Sequence, residues 1–344
     1  MNSLWIALIV FGLLIFIHEL GHFLAAKRAG IDVLEFGIGF GPKIFTFQRQ
    51  ETRYTLRLLP LGGFVRMAGT DPDDLDNENG FAKKSVGKRM GVIIAGATMN
   101  FLLAMVMFGL LVSLTGIPTG EFSDEARIGE IIIGEPADLA GLLPGDLVLS
   151  VDGEPVQNWT DLVAVINANP NQPLSLVIER DEIEKTLTVT PKMREEDSKG
   201  VIGITGTYLV RPATIIEQIR FGIQQTFFVA GLILNAIWQM ITGKMAADIS
   251  GPIAITRVLG RAARLGFPYL LNLAAIININ IGLFNLIPIP ALDGSRLVFL
   301  AIEGIRGKPV AQDKENMFHV IGFALLMLLA IFVAYRDILN IGRM

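Results

Sequence analysis

The chain has 344 residues, 51% hydrophobic and only 18% charged, a balance that excludes an ordinary soluble protein and points to a polytopic membrane protein with a polar module attached. A net charge of -4 with no basic arm argues against a nucleic-acid partner, and the absence of cysteine excludes both a disulfide framework and a thiolate metal site. Any metal must therefore be held by histidine and carboxylate.

Residues 4–17 are an unbroken apolar run, which Phe23, Leu24, Ala25 and Ala26 continue until Lys27 and Arg28 end it. A first transmembrane helix is expected over 1–26, retained and not cleaved, since no basic stretch precedes it. Within it lies His18-Glu19-Leu20-Gly21-His22. Residues four apart share a helix face, so His18 and His22 can offer two nitrogens to one ion while Glu19 poises a water beside them. Two imidazoles, a third protein ligand and an open position for water make up the zinc-protease arrangement. The bland alternative is a pair of structural histidines, but ionisable groups inside a span are costly and usually functional. There are only 3 histidines, and the remaining one, His319, opens a later apolar segment and reads as an interfacial residue.

Residues 27–90 carry an excess of lysine and arginine, which marks a cytoplasmic segment and places the N-terminus outside and the motif toward the cytosol. Within this segment, 37–47 and 54–67 read as strands broken by glycine and proline, an amphipathic or re-entrant β-hairpin that holds Gly62, Gly63 and Phe64. Residues 71–80 are acidic and turn-rich, a solvated loop. A second span is expected over 91–115, with Asn100 as its one strongly polar side chain. Residues 116–210 change to short alternating strands with turn signals, a compact extracytoplasmic domain.

Residues 211–268 read as a membrane-associated helix and linker. The part from 221 to 241 is apolar enough to span, yet crossing would leave the carboxylate of the next span on the wrong side from His18. It is read as lying on or partly in the outer leaflet, with crossing left open. A third span over 269–294 contains Asn272, Asn278, Asn280 and Asn285 and ends in Pro288-Ile289-Pro290-Ala291-Leu292-Asp293-Gly294, a locally broken helix. Asp293 is the only carboxylate between Asp248 and Glu303, and it would complete a His, His, carboxylate set. A cytoplasmic loop over 295–316 and a fourth span over 317–336 follow. The expected fold is a polytopic α-helical membrane protein of four transmembrane helices, with a membrane-associated β-hairpin and one inserted α+β domain.

The string Ala140-Gly141-Leu142-Leu143-Pro144-Gly145-Asp146-Leu147-Val148 resembles the core of a PDZ domain of the bacterial protease type. That resemblance implies a peptide loop made of Gly141, Leu142, Gly145 and Asp146, or a cap that excludes substrates by size. His-Glu-x-x-His in one span, Asn285 through Gly294 in a later one and a PDZ-like insert between them are together similar to the site-2 protease family of intramembrane zinc metalloproteases, peptidase family M50. The likeness is to its bacterial regulator-of-sigma-E branch with a single PDZ unit. It extends through Gly41-Pro42, Gly62-Gly63-Phe64-Val65, Ala95-Gly96, Asn100-Phe101 and Gly251-Pro252-Ile253.

The resemblance implies Zn2+ bound by His18, His22 and Asp293, with Glu19 as general base and acid. It also implies that the glycine-rich hairpin and Asn285 hold substrate in an extended form, with Asn280 a further candidate. The implied substrates are single-span membrane proteins already cut by another protease, such as anti-sigma factors or remnant signal peptides, in the lipid bilayer of a bacterial inner membrane. Ala97 stands where the family usually has proline and Ser295 where a second glycine is common, departures that touch packing and not ligands. Two rival classes share some of these residues. A PDZ membrane adaptor with structural zinc would not need Glu19, and a metal transporter would need more ligands along its path than the spans supply.

Overall fold

The computed structural model describes residues 3–70, 74, 77–245 and 251–339, so most of the acidic stretch within the expected loop at 71–80 lies outside the described residues. Helix α1 (Ser3–Arg28) carries no charge before His18 and, in lipid, can satisfy its backbone polar groups only within itself. Lys27 and Arg28 in its last turn meet the negative end of the helix dipole. Gly30, at φ 72°, then lets the Ile31 amide donate back to Ala26 O over 2.9 Å and ends the helix.

Strands β1 (Val33–Arg49) and β2 (Thr52–Met67) are longer than the hairpin expected from the sequence, and each contributes two segments. Residues 33–38 pair antiparallel with 63–67 along one edge. Along the other edge Glu35, Phe36, Gly37 and Ile38 face Arg53, Tyr54, Thr55 and Leu56, which in turn pair with the 43–49 segment. The order across the sheet is thus 63–67, 33–38, 53–56, 43–49. Gly39, Gly41 and Gly62 have φ between 87° and 94°, a conformation open to glycine, and two of them sit where β1 folds back.

The chain continues through α2 (Val86–Thr115), β3 (Ile117–Phe122), β4 (Ile128–Ile131), α3 (Pro136–Leu139), β5 (Leu147–Val151), β6 (Glu154–Pro155) and α4 (Trp159–Ala168). Next come β7 (Leu174–Arg180), β8 (Ile183–Val189), β9 (Lys192–Met193), β10 (Gly200–Val201), β11 (Ile204–Gly206) and β12 (Tyr208–Arg211). It ends with α5 (Ile215–Ile241), α6 (Pro252–Leu265), α7 (Phe267–Leu286), α8 (Asp293–Arg306) and α9 (Gln312–Leu339). Among the described residues five helices, α1, α2, α5, α7 and α9, are long and apolar enough to cross a membrane. Helix α5 is the one beyond the four spans expected.

The chain divides into two compact units, one of residues 1–111, 215–260 and 271–344, the other of 112–214 and 261–270. In the first, Leu14 of α1, Phe108 of α2, Val229 and Ala230 of α5 and Ala275 and Ile279 of α7 are buried together. Lipid competes for apolar faces, so close contact at small residues matters most between such helices. Gly222 of α5 lies against Met105 O, and Gly109 of α2 lies so near Gln218 that an added Cβ would stand 3.1 Å from its carbonyl oxygen.

At one end of this unit Asp337 of α9 caps α6, accepting from the amides of Gly251 (3.3 Å) and Ala254 (3.0 Å). Gly260 of α6 lies against the Ser3 side chain. Elsewhere Arg89 of α2 forms a two-point ion pair with Glu303 of α8, one contact being 3.0 Å. This polar first turn explains why α2 begins at Val86, ahead of the apolar run.

Helix α8 replaces part of the expected loop at 295–316. It is amphipathic and too short to span, so a search for long apolar runs passes over it. Ser295 bonds its hydroxyl to Leu292 O (2.7 Å), closing the turn into α8.

In the second unit a four-stranded sheet, ordered β6-β5-β7-β8, packs Val148, Leu176 and Ile178 against Leu142 and against Leu162 of α4. Asn158 caps α4 through the Asp161 amide (2.9 Å). Strands β12, β11 and β10 pair with β3, β4 and β9, so residues 200–211 belong to this domain. The Ile131 amide donates to the Tyr269 hydroxyl (3.2 Å).

Candidate metal centre

Helix α1 sets His18 and His22 one turn apart on one face. Their Nε2 atoms lie 3.1 Å from each other, and Asp293 Oδ2 lies 3.1 Å from each. Donors about 2.0–2.1 Å from a tetrahedral zinc stand about 3.3 Å apart, so this triangle fits the ion closely. His22 Nδ1–H donates to Val92 O (2.9 Å), which leaves the Nε2 lone pair for a metal. Both imidazoles are buried, at 6% exposure each. Among the described residues this is the only group of three such side chains with ligand atoms close enough for one ion. Two nitrogens, one oxygen and a face left open suit catalytic zinc.

The packing that creates the triangle depends on two glycines. A Cβ at Gly21 would collide with Ala95 O, and one at Gly96 would collide with His22 Nε2, so α1 and α2 cross against the metal-binding face itself. Asp293 arrives differently. Helix α7 stops at Leu286, and residues 287–292 form a turn in which Ile289 donates to Ile287 O (2.7 Å) and Leu292 to Ile289 O (3.1 Å). Ala291 in this turn has φ 73°, a left-handed conformation that costs a residue with a Cβ about 1–2 kcal/mol. Asp293 then opens α8, with its carboxylate at the positive end of that helix.

A cavity of about 550 Å³ brings the three donors together with Glu19, Phe64, Asn285 and Arg296. At Gly63 the sheet passes so near α1 that an added Cβ would lie 3.0 Å from Glu19 Cγ. The Phe64 ring fills the space over Gly37, and Arg57 stacks 4.8 Å from its centre while bonding to Glu35 (3.2 Å). Burial raises the Glu35 pKa, but hydrogen bonds from Thr55 and Arg57 and the charge of Lys43 lower it further, leaving it below the ordinary glutamate range.

Of the substrate-holding residues expected, Gly63, Phe64 and Asn285 lie at the cavity or against Glu19. Gly62 is buried just before them in β2. Asn280 is not part of the cavity lining, and its amide nitrogen donates to Ile276 O of its own helix (3.2 Å). Arg296, Gly96 and the Val92 carbonyl were not singled out as site features by the sequence.

The loop at 141–146, expected to hold a peptide, bonds within its own domain. The amides of Gly141, Leu142 and Gly145 donate to Asp138 O, Ala137 O and Ile128 O, the Leu143 amide donates to Asp146 Oδ2, and Pro144 has none to offer. Asp146 is itself buried and bonded twice by Arg180, at 2.7 and 2.6 Å. These bonds tie the loop to α3, to β4 and to Arg180 of β7.

The model for peptidase family M50 matches residues 6–329. The chain is 38% identical to zinc metalloprotease RasP of Geobacillus kaustophilus, covering 96% of each chain. It is 34% identical to regulator of sigma-W protease RasP of Bacillus subtilis, covering 98% of each. The PDZ domain of an SdrC-like protein from Listeria monocytogenes is similar to 25% of this chain and 90% of its own at 17% identity, with a TM-score of 0.22, too low to count toward the fold. With matches that run nearly end to end and a donor triangle fitted to zinc, the chain belongs to peptidase family M50, the site-2 proteases, and is a multi-pass membrane zinc metalloprotease.

Proposed function

We propose that His18, His22 and Asp293 hold the zinc, that Glu19 is the general base and acid, and that the enzyme cuts single-span membrane proteins within their spanning segments. The observation that carries this reading is the convergence of the three donors beside Glu19 in one cavity within the apolar bundle. When bound, zinc supplies Lewis acidity, polarising a carbonyl and lowering the pKa of water. Glu19 takes a proton from the attacking water and returns it to the leaving nitrogen as the C–N bond breaks, so one carboxylate serves both halves of the hydrolysis.

A spanning helix has its amides already bonded and is cut only after those bonds are replaced. Among the described residues segment 63–67 pairs on one edge only, with 33–38, and its outer edge is suited to take an added strand. Gly62 and Gly63 present no side chain there, while Phe64 and Asn285 form the walls. The regulator of sigma-W protease named for Bacillus subtilis suggests anti-sigma factors as the substrate class, cut after a first protease has removed the exterior domain. A rise in cleavage of uncut substrate on deleting residues 117–211 would support the inserted domain as the size filter.

Contacts within the first unit also support four spans. Ser3 meets Gly260, whereas the histidines farther along α1 meet Asp293 beyond the end of α7. Helix α9 leads from His319, beside Ala291, to Asp337, beside Gly251. Gly251 and Gly260 therefore share the end of the first unit opposite the metal centre. We read α1, α2, α7 and α9 as the spans, with α5 entering the bundle beside α2 without carrying the chain across. The basic stretch 27–90 supports a metal centre toward the cytoplasm and an inserted domain outside. Because the native chain has no cysteine, single cysteines placed along α5 and labelled from each side test this directly.

The deciding experiment is cleavage of a single-span substrate by purified protein, with zinc content measured on wild type, Glu19→Gln and Asp293→Asn. Cleavage by wild type alone, with zinc kept in Glu19→Gln and reduced in Asp293→Asn, is the expected result. Full zinc and no cleavage by any form, with or without residues 117–211, would favour the adaptor.

A further inference from the structure

The third histidine, His319, stands outside the donor triangle. The Ala291 amide donates to His319 Nδ1 over 3.2 Å, which joins α9 to the turn that delivers Asp293. An acceptor at Nδ1 places the ring proton on Nε2, and that nitrogen faces Glu315 Oε1 at 3.8 Å. One turn farther along α9, Gly322 lies against Pro290, where an added Cβ would collide with the proline ring. Two neighbouring residues of the turn, Pro290 and Ala291, are thus gripped by one face of α9, since positions three apart are neighbours on a helix.

Ala291 is the left-handed residue of the turn, with φ 73°. Its conformation is unfavourable for alanine, and a half-buried amide without a partner would add to that cost. Relaxing Ala291 toward the ordinary φ would swing the two bonds that follow and carry Asp293 Oδ2 away from the imidazoles. We propose that His319 is a positioning residue for the metal centre, accepting the Ala291 amide so that the turn keeps the form that presents Asp293 to His18 and His22. The inference rests on Asp293 being the third ligand.

The test is zinc affinity of the purified full-length protein, read by competition with a chelator of known affinity. It compares wild type with His319→Leu, His319→Asn, Ala291→Gly, the double variant Ala291→Gly with His319→Leu, and Asp293→Asn. Loss of an outer partner of a ligand typically weakens metal binding about 10- to 100-fold, and that is the expectation for His319→Leu. His319→Asn places an oxygen near the position of Nδ1 and should return affinity to within about threefold. Glycine accepts positive φ without cost, so the double variant should bind better than His319→Leu alone.

If His319→Leu is not monodisperse, His319→Gln, whose oxygen lies nearer the Nε2 position, replaces it. Wild-type affinity in the acceptor-free variant, or failure of either rescue, would overturn the proposal. Unchanged affinity in Asp293→Asn would instead overturn the ligand set on which it rests. Weakening in Asp293→Asn without weakening in the acceptor-free variant would remove His319 alone.

Discussion

The two sides of the metal centre are built by different means. His18 and His22 sit on an uninterrupted helix, where the 3.6-residue period alone sets their separation. Asp293 stands at the end of an irregular turn whose shape depends on a left-handed alanine and on contacts with α9. One side is local geometry, and the other is tertiary structure. A distant substitution should therefore leave the histidine pair aligned while displacing the carboxylate, and only a direct collision should disturb the pair.

The largest effect should come from such a collision. Gly96→Val puts a branched side chain where His22 Nε2 and His18 Cε1 now lie, which drives both rings off the donor triangle. Zinc binding and proteolysis should both disappear, and tight zinc binding by this variant would mean that the α1–α2 crossing is looser than described. Gly322→Ala acts on the other side, forcing Pro290 and its turn away from α9. Overpacking of this kind costs about 1–3 kcal/mol of stability, and zinc affinity should fall about 10-fold, within the range for outer-partner changes. Equal zinc affinity in Gly322→Ala and wild type would show that the turn holds its shape without α9.

The smallest effect belongs to neither side. Glu35 has a pKa held below the ordinary glutamate value, so its interactions stabilise the fold above that ordinary value and are lost as pH falls through the depressed one. Glu35→Gln should lower the melting temperature near neutral pH, and the gap from wild type should narrow below about pH 4. A gap that stays constant with pH would show that packing, not charge, accounts for the loss.

The same division explains what could be read from the sequence. The histidine spacing, with Glu19 between, needs only helical periodicity, whereas Asp293 was singled out by the likeness of 285–294 to the family and as the only carboxylate between Asp248 and Glu303. Val92 could not be, because a backbone carbonyl carries no side-chain signature. Gly96 stood in a recognisable string, but its contact with the imidazoles exists only once α1 and α2 cross. The sheet was legible as strands and not as four ordered segments, since the fold-back at Gly39 and Gly41 decides register over long range. The 141–146 string suggested a binding loop, whereas the partners of its amides, Asp138, Ala137 and Ile128, become visible only in three dimensions. His319 read as an interfacial residue because its partner is an amide 28 positions away in sequence.

Helix α6 has a mechanical consequence. Its first turn is fastened to Asp337 near the end of the described chain, and Gly260 rests on Ser3 at the beginning. The first and last helices of the described chain are thus latched together through α6.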